Sequence, residues 1–183
     1  MNEIIVNTPL TEEIVTSLNT GNTVYITGTM YTARDAAHKR MIEDLNSGKG
    51  LPFDIRNQII YYTGPCPSRP GEITGSSGPT TSYRMDDYTP TLLKQGLKGM
   101  IGKGLRNRDV IDSMISNKAI YFAVIGGAGA LIADCIKKVE IIAYEDLGTE
   151  AIRRIYVEKL PAIVAIDSQG NNLYEQAIRK YKR

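Results

Sequence analysis

Apolar and polar residues alternate along "NTVYITGTMY" (22–31), a stretch rich in β-branched and aromatic side chains, and this pattern predicts a strand. The period then changes. Over 32–50, Ala37, Met41 and Leu45 recur at helical spacing, which predicts a helix opening at a Thr32 cap and closing at Gly48. The same reading gives a short strand at 3–7, a helix over 8–18 with Thr8 as its cap and Pro9 in its first turn, and a strand at 58–64. Further on it gives a helix over 85–97 spanning both sides of Pro90, a short strand at 98–104 and a capped helix at 107–117. A buried strand at 119–127, a helix at 128–136 and a strand at 137–148 follow. The segment 152–174 reads as two short strands and a turn, and 175–183 as a basic terminal helix. Helices and strands are mixed throughout, which places the chain in the α/β or α+β class. Neither a repeat nor a linker divides it, so one domain over 1–183 is expected.

Between 64 and 80 the periodicity stops. "GPCPSRPGE" and "GSSGPTT" are turn chemistry with nothing to bury, and the stretch is too long for an ordinary connection. Long irregular loops in compact domains are usually functional, so this one is the first place to look for a site.

Composition narrows what that site can do. The chain has 183 residues, 42% of them hydrophobic, enough to bury a sizeable core. With 22 basic and 20 acidic residues the net charge is +2, which provides no strong field for nucleic acid or an anionic membrane. No run of about 18 apolar residues occurs, so no membrane-spanning helix is expected, and "MNEIIVNTPL" does not read as a signal peptide. Cys66, Cys135 and His38 lack partners at metal-ligand spacing, so no metal site is expected within this chain, and the two unpaired cysteines suit a reduced, cytoplasmic protein.

Several stretches carry candidate chemistry. "AVIGGAGALIADC" has Gly127 and Gly129 of a dinucleotide loop, but the third glycine position is Ile132. "GLKGMIGKG" lacks the first glycine and the hydroxyl residue of a phosphate loop, which leaves Lys103 between two glycines at a strand end, either exposed and idle or free to meet a ligand. In "TARDAAHKR", Arg34 stands in the first turn of a helix, against the helix dipole. Either a solvated face with an Asp35–Lys39 ion pair or a bound anion accounts for it. "GPTTSYRMD" offers Thr80, Thr81, the N–H groups of a helix start, and Arg84 one turn later, a set that suits either a plain cap or a carboxylate clamp. Arg34, Arg84 and Lys103 together would suit a small di-anion. Cys66, between two prolines, reads as a buried or inert thiol, Cys135 as core, and His38 as a structural histidine.

Five motifs in order, "YITGTMYTARDAAHKR", "IIYYTGPCP", "EITGSSGPTTSYRMD", "MIGKG" and "YFAVIGGAGAL", resemble the β subunit, or C-terminal domain, of iron–sulfur class I fumarases and L-tartrate dehydratases. The resemblance runs over about residues 5–175. It implies a swivelling β/β/α domain with a mixed sheet and flanking helices. It also implies a [4Fe–4S] cluster carried by a partner α subunit rather than by this chain, within a hetero-oligomer. The cluster's open iron would take the substrate hydroxyl. The substrate would be a small hydroxy-dicarboxylate, malate dehydrated to fumarate or tartrate to oxaloacetate. By the same resemblance Arg34, Arg84 and Lys103 would hold its carboxylates, and Thr80 would touch substrate near the proton that leaves, so that Thr80 and Lys103 are the expected catalytic pair. The alternative is a non-catalytic anion-binding or scaffolding module of the same fold.

Overall fold

The structure is a computed structural model that describes residues 3–125 and 127–182. Among these residues seven strands form one mixed sheet: β1 (Ile4–Asn7), β2 (Thr23–Thr32), β3 (Ile59–Tyr61), β4 (Gly99–Gly102), β5 (Ile120–Ala123), β6 (Ile136–Ala143) and β7 (Ile152–Ile166). Their order is β1-β2-β3-β4-β5-β7-β6, and the first five are parallel. A further antiparallel pairing of β2 with β7, from Thr23↔Ile163 to Thr32↔Arg153, closes the sheet into a barrel. Among the described residues six helices flank it: α1 (Glu12–Ser17), α2 (Asp35–Asn46), α3 (Thr89–Lys94), α4 (Arg108–Asn117), α5 (Gly129–Cys135) and α6 (Leu173–Tyr181). The mixed α/β class read from periodicity therefore holds.

Alternation along the strands sorts the side chains into two cores. Ile59, Ile101, Phe122, Ile155 and Val157 join Val24, Ile26 and Met30 in one cluster. Their neighbours Ile60, Tyr62, Met100 and Tyr121 point the other way and pack with Met41, Leu92, Leu93, Val110 and Met114 of α2, α3 and α4. Covered on both faces, β3, β4 and β5 read as continuous apolar runs, as parallel strands do.

Several boundaries move. The segment 152–174 holds one 15-residue strand rather than two short ones, because β7 must reach β2 along one edge and both β5 and β6 along the other. The first helix is capped by Thr11, whose hydroxyl accepts from Ile14 N–H, so Thr8 and Pro9 precede it. Thr32 belongs to β2, and Arg34 takes the cap position of α2. The helix expected over 85–97 begins at Thr89, with Pro90 in a first turn where its missing N–H is not needed. The strand expected over 137–148 ends at Ala143, and a 3-10 segment, Glu145–Glu150, follows. The strand expected over 119–127 includes Gly126, and the terminal helix over 175–183 includes Arg183; both lie outside the described residues.

Beneath the carboxyl end of the parallel strands lies a buried ion pair. Arg106, fully buried, donates Nε–H to Asp86 Oδ1 at 2.7 Å and an Nη2 hydrogen to Thr89 Oγ1 at 2.8 Å. Its guanidinium carbon lies 5.4 Å from the Tyr62 ring centre and 5.2 Å from that of Tyr121. The second Asp86 oxygen accepts Asn107 N–H at 2.7 Å, and Asn107 in turn caps α4. Removing one partner of such a pair strands the other charge in the core. Asp86→Ala should therefore destabilise the fold by about 3–5 kcal/mol, read as a shift in the urea midpoint.

Candidate functional site

Ligand sites in parallel α/β sheets gather beyond the carboxyl ends of the strands. Arg34 follows β2 directly, the 64–80 loop leaves β3, and Lys103 follows β4. The loop starts and finishes at one place. Thr80 N–H donates to Tyr62 O at 2.6 Å, and Thr63 Oγ1 donates to Gly78 O at 2.8 Å. Its middle is braced on α5, where Ser77 N–H donates to Gly129 O at 3.0 Å. A side chain at residue 129 would strike Ser76 Oγ and stand 3.0 Å from the Gly78 nitrogen. The turn-rich "SSGPTT" and the "GAGA" at the start of α5 are thus two sides of one backbone contact.

The stretch after the loop is no ordinary helix start. Ser82–Met85 is a single 3-10 turn, and Thr81, at its cap position, makes no side-chain cap bond. The N–H groups expected to be free are engaged, Thr80's with Tyr62 and Ser82's with Lys103 O at 2.9 Å. Thr81 bridges Lys103 in parallel register. Tyr121 O–H donates to Gly104 O at 3.0 Å, so Ser82 O–H, 2.9 Å away, donates to the Tyr121 oxygen. The Lys103 backbone is gripped from two sides. Its exposed ammonium has no hydrogen-bond or ion-pair partner among the described residues, and neither has the half-buried Thr80 hydroxyl.

The two arginines are differently placed. Arg84 Nη2 donates to Asp35 Oδ2 at 2.7 Å. Arg34 Nη2 lies 3.3 Å from Glu150 Oε1, and its Nε 3.7 Å from Asp35 Oδ1. The Arg34 side chain lies over Gly64, where an added Cβ would stand 3.0 Å from its Cδ and Nη1. Glu150 Oε2 also accepts Ala36 N–H at 3.0 Å and so supplies the α2 cap that the Arg34 side chain does not. An anion does offset the cation at this helix start, and the chain provides it from 114 residues away. The Asp35–Lys39 pair expected from spacing does not form; Asp35 turns to Arg84, and Lys39 lies 3.9 Å from Glu43. The structure thus links Arg34 to Arg84 through Asp35, and Lys103 to Thr80 through the strand-like pairing of Thr81. Asp35 and Glu150 were missed as members of the group. Only the "RD" pair hinted at the first, and no local signal marks the second.

His38 is buried, with Nδ1 2.8 Å from Arg34 O, so Nδ1–H donates there and Nε2 is left without a partner among the described residues. Cys66 is exposed rather than buried, and Cys135 is packed against the barrel core, where burial raises its pKa. Two open grooves of about 630 and 600 Å³ flank the tip of the 64–80 loop, and neither is lined by Arg34, Thr80, Arg84 or Lys103. Among the described residues no group of three or more His, Cys, Asp or Glu side chains is placed to hold a metal ion. No helix among them is long and apolar enough to cross a membrane.

Burial lowers the His38 pKa from 6.5 to about 4, against the opposing hydrogen bond to Arg34 O. The folded state keeps the ring neutral while the unfolded chain protonates it, so stability falls as the pH drops from 6.5 toward 4. Between pH 7 and pH 5 this contributes a loss of about 2 kcal/mol. In urea titrations at the two pH values, His38→Asn, which keeps an N–H donor near Arg34 O, should lack that component.

The family model described as "Fumarase C-terminus" matches residues 1–177. The chain is 37% identical over 177 residues to the putative L(+)-tartrate dehydratase subunit beta of Methanocaldococcus jannaschii, covering 93% of this chain and 91% of that one. It is 40% identical over 157 residues to the anaerobic class I fumarate hydratase of Escherichia coli K12, covering 85% of this chain but 29% of the relative. Against mitochondrial fumarate hydratase 1 of Leishmania major the identity is 41% over 153 residues, covering 82% of this chain. The chain spans 29% of the Escherichia coli fumarate hydratase and 91% of the tartrate dehydratase subunit.

Proposed function

The chain belongs to the fumarase C-terminus family, and on that premise we propose that it is the β subunit of a hydro-lyase acting on a small hydroxy-dicarboxylate, malate first and tartrate next. In this reading residues 1–183 form one swivelling β/β/α domain that supplies the carboxylate-binding half of the active site. A separate α subunit supplies a [4Fe–4S] cluster, whose open iron would draw off the substrate hydroxyl as a Lewis acid. The name of the archaeal relative, a subunit beta, and the extra length of the fumarate hydratases both support a partner.

The observation that carries the reading is Lys103. A lysine without a counter-ion among the described residues, on a backbone held from both sides and one strand-pair from a threonine hydroxyl that has no partner among them either, suits an anion that arrives from outside. Loss of a proton beside a carboxylate pushes negative charge onto its oxygens. Cations already in position stabilise that charge with little reorganisation. Lys103 and the unbonded edges of Arg34 and Arg84 take this role. Thr80 contacts the substrate near the departing proton. A free threonine hydroxyl ionises far above neutral pH, so Thr80 orients the reacting carbon unless nearby cations make it a base.

Two measurements test this. Purified without air, the chain alone should bind a dicarboxylate weakly and show no dehydration of malate or tartrate, and adding the cluster-bearing subunit should produce turnover. Turnover by the lone chain would overturn the half-site reading, and none with the partner would favour a plain anion-binding module or no anion site at all. In the assembled enzyme Arg84→Lys keeps the charge and loses the planar fork, so kcat/KM should drop by at least about tenfold.

A further inference from the structure

Asp35 is poorly explained as a stabilising residue. It lies in the first turn of α2, where an acid complements the helix dipole, yet the backbone there is already capped by Glu150. Among the described residues one Asp35 oxygen receives only Arg84 Nη2, and the other is buried with no hydrogen-bond partner. Leaving a buried oxygen unpaired works against the fold. The ion pair with Arg84 is partly exposed, and pairs of that kind contribute little to stability. What Asp35 does have is position: its carboxylate stands between two guanidinium groups on different elements, one from the β2–α2 junction and one from the 3-10 turn after the loop.

From this geometry we propose that Asp35 is a positioning residue for the reaction, an internal carboxylate that holds Arg84 by a single nitrogen and sets its guanidinium plane before substrate arrives. The inference rests on the hydro-lyase reading above. Nε and Nη1 of Arg84 have no partner among the described residues, so the grip leaves donors for an incoming carboxylate. Asp35 also offsets the repulsion between Arg34 and Arg84. The charges of Arg34, Arg84, Asp35 and Glu150 sum to zero, which leaves Lys103 as the cation that draws the substrate in. Asp35 thereby separates two jobs. Orientation is needed most in the transition state, whereas attraction acts on the ground state as well.

That separation gives a readout that a purely structural role would not produce. Asp35→Ala removes the grip and also removes a negative charge next to the substrate. Lost orientation lowers kcat, and the added positive field offsets any loss of ground-state binding. With L-malate and the assembled enzyme, kcat should fall by about tenfold or more while KM changes by less than about threefold. Asp35→Asn keeps a carbonyl oxygen for Arg84 Nη2 and should recover most of kcat. Both variants should melt close to the wild-type temperature. Unchanged kcat in Asp35→Ala, or a loss explained wholly by a lower melting temperature, would overturn the proposal. A second measurement is independent of turnover: the Nε–H resonance of Arg84 in the labelled chain alone. It should report a rigid side chain in the wild type and in Asp35→Asn, and a mobile one in Asp35→Ala. Equal mobility in all three would overturn the positioning role even if the assembled enzyme is active. A complex that turns over neither malate nor tartrate would refute the hydro-lyase reading, and the resonance would still decide whether Asp35 orients Arg84.

Discussion

A buried guanidinium holds the rim together. Arg106 lies in the core between two tyrosine rings, with Asp86, Thr89 and Tyr62 taking its hydrogens. Those partners come from the end of β3, from the turn before α3, from α3 itself and from β5. The network therefore joins the two segments that carry Thr80, Arg84 and Lys103. A hydrophobic core alone would tolerate small slides of these segments, because dispersion and burial have little directional preference. A charged hydrogen-bond network in a low-dielectric interior has few alternative geometries of similar energy. Its retention is better understood as a cost in desolvation accepted for a defined arrangement at the surface above it.

On that surface the cations are not equivalent. Arg34 and Arg84 have their own anions, and Lys103 has none among the described residues. A site of three bare cations would repel itself and would bind any passing anion. Pairing two of them keeps the local field modest, and in the proposed site recognition would depend on the geometry of the remaining donors. His38 extends the same logic inward. Its neutral ring donates to Arg34 O, so a change of charge at that ring would act on the helix start from which Arg34 projects.

Much of this was legible in the sequence, and the rest was hidden for physical reasons. Alternation and helical spacing located most elements, since burial on one face leaves a periodic trace. The two predicted strands within 152–174 are one strand because the demand that unites them is pairing to β2, more than a hundred residues earlier, and pairing partners leave no mark on local period. Lys103 and Arg84 stood out through their glycine and turn settings. Arg106 did not, because "LRNRD" looks like a solvated helix start until Asp86 is brought against it in space. Glu150 was invisible for the same reason: its partners, Arg34 and the Ala36 N–H, lie on another element.

The closing strand has a consequence for how the chain is made. Strands β1 to β5 can be laid down in order as they leave the ribosome, each beside its predecessor. The barrel cannot shut until β7 arrives, since Thr23 must find Ile163 and Thr32 must find Arg153. Until then one edge of β2 stands open and the apolar interior faces water. Pairings across so long a span of chain form slowly, because loop closure must come before any contact can reward it. Strand β7 therefore both covers the core and supplies the pairing that its closure waits for. Synthesis that stalls before residue 152 would release an open sheet with an unpaired edge, the kind of surface that chaperones bind and aggregates recruit.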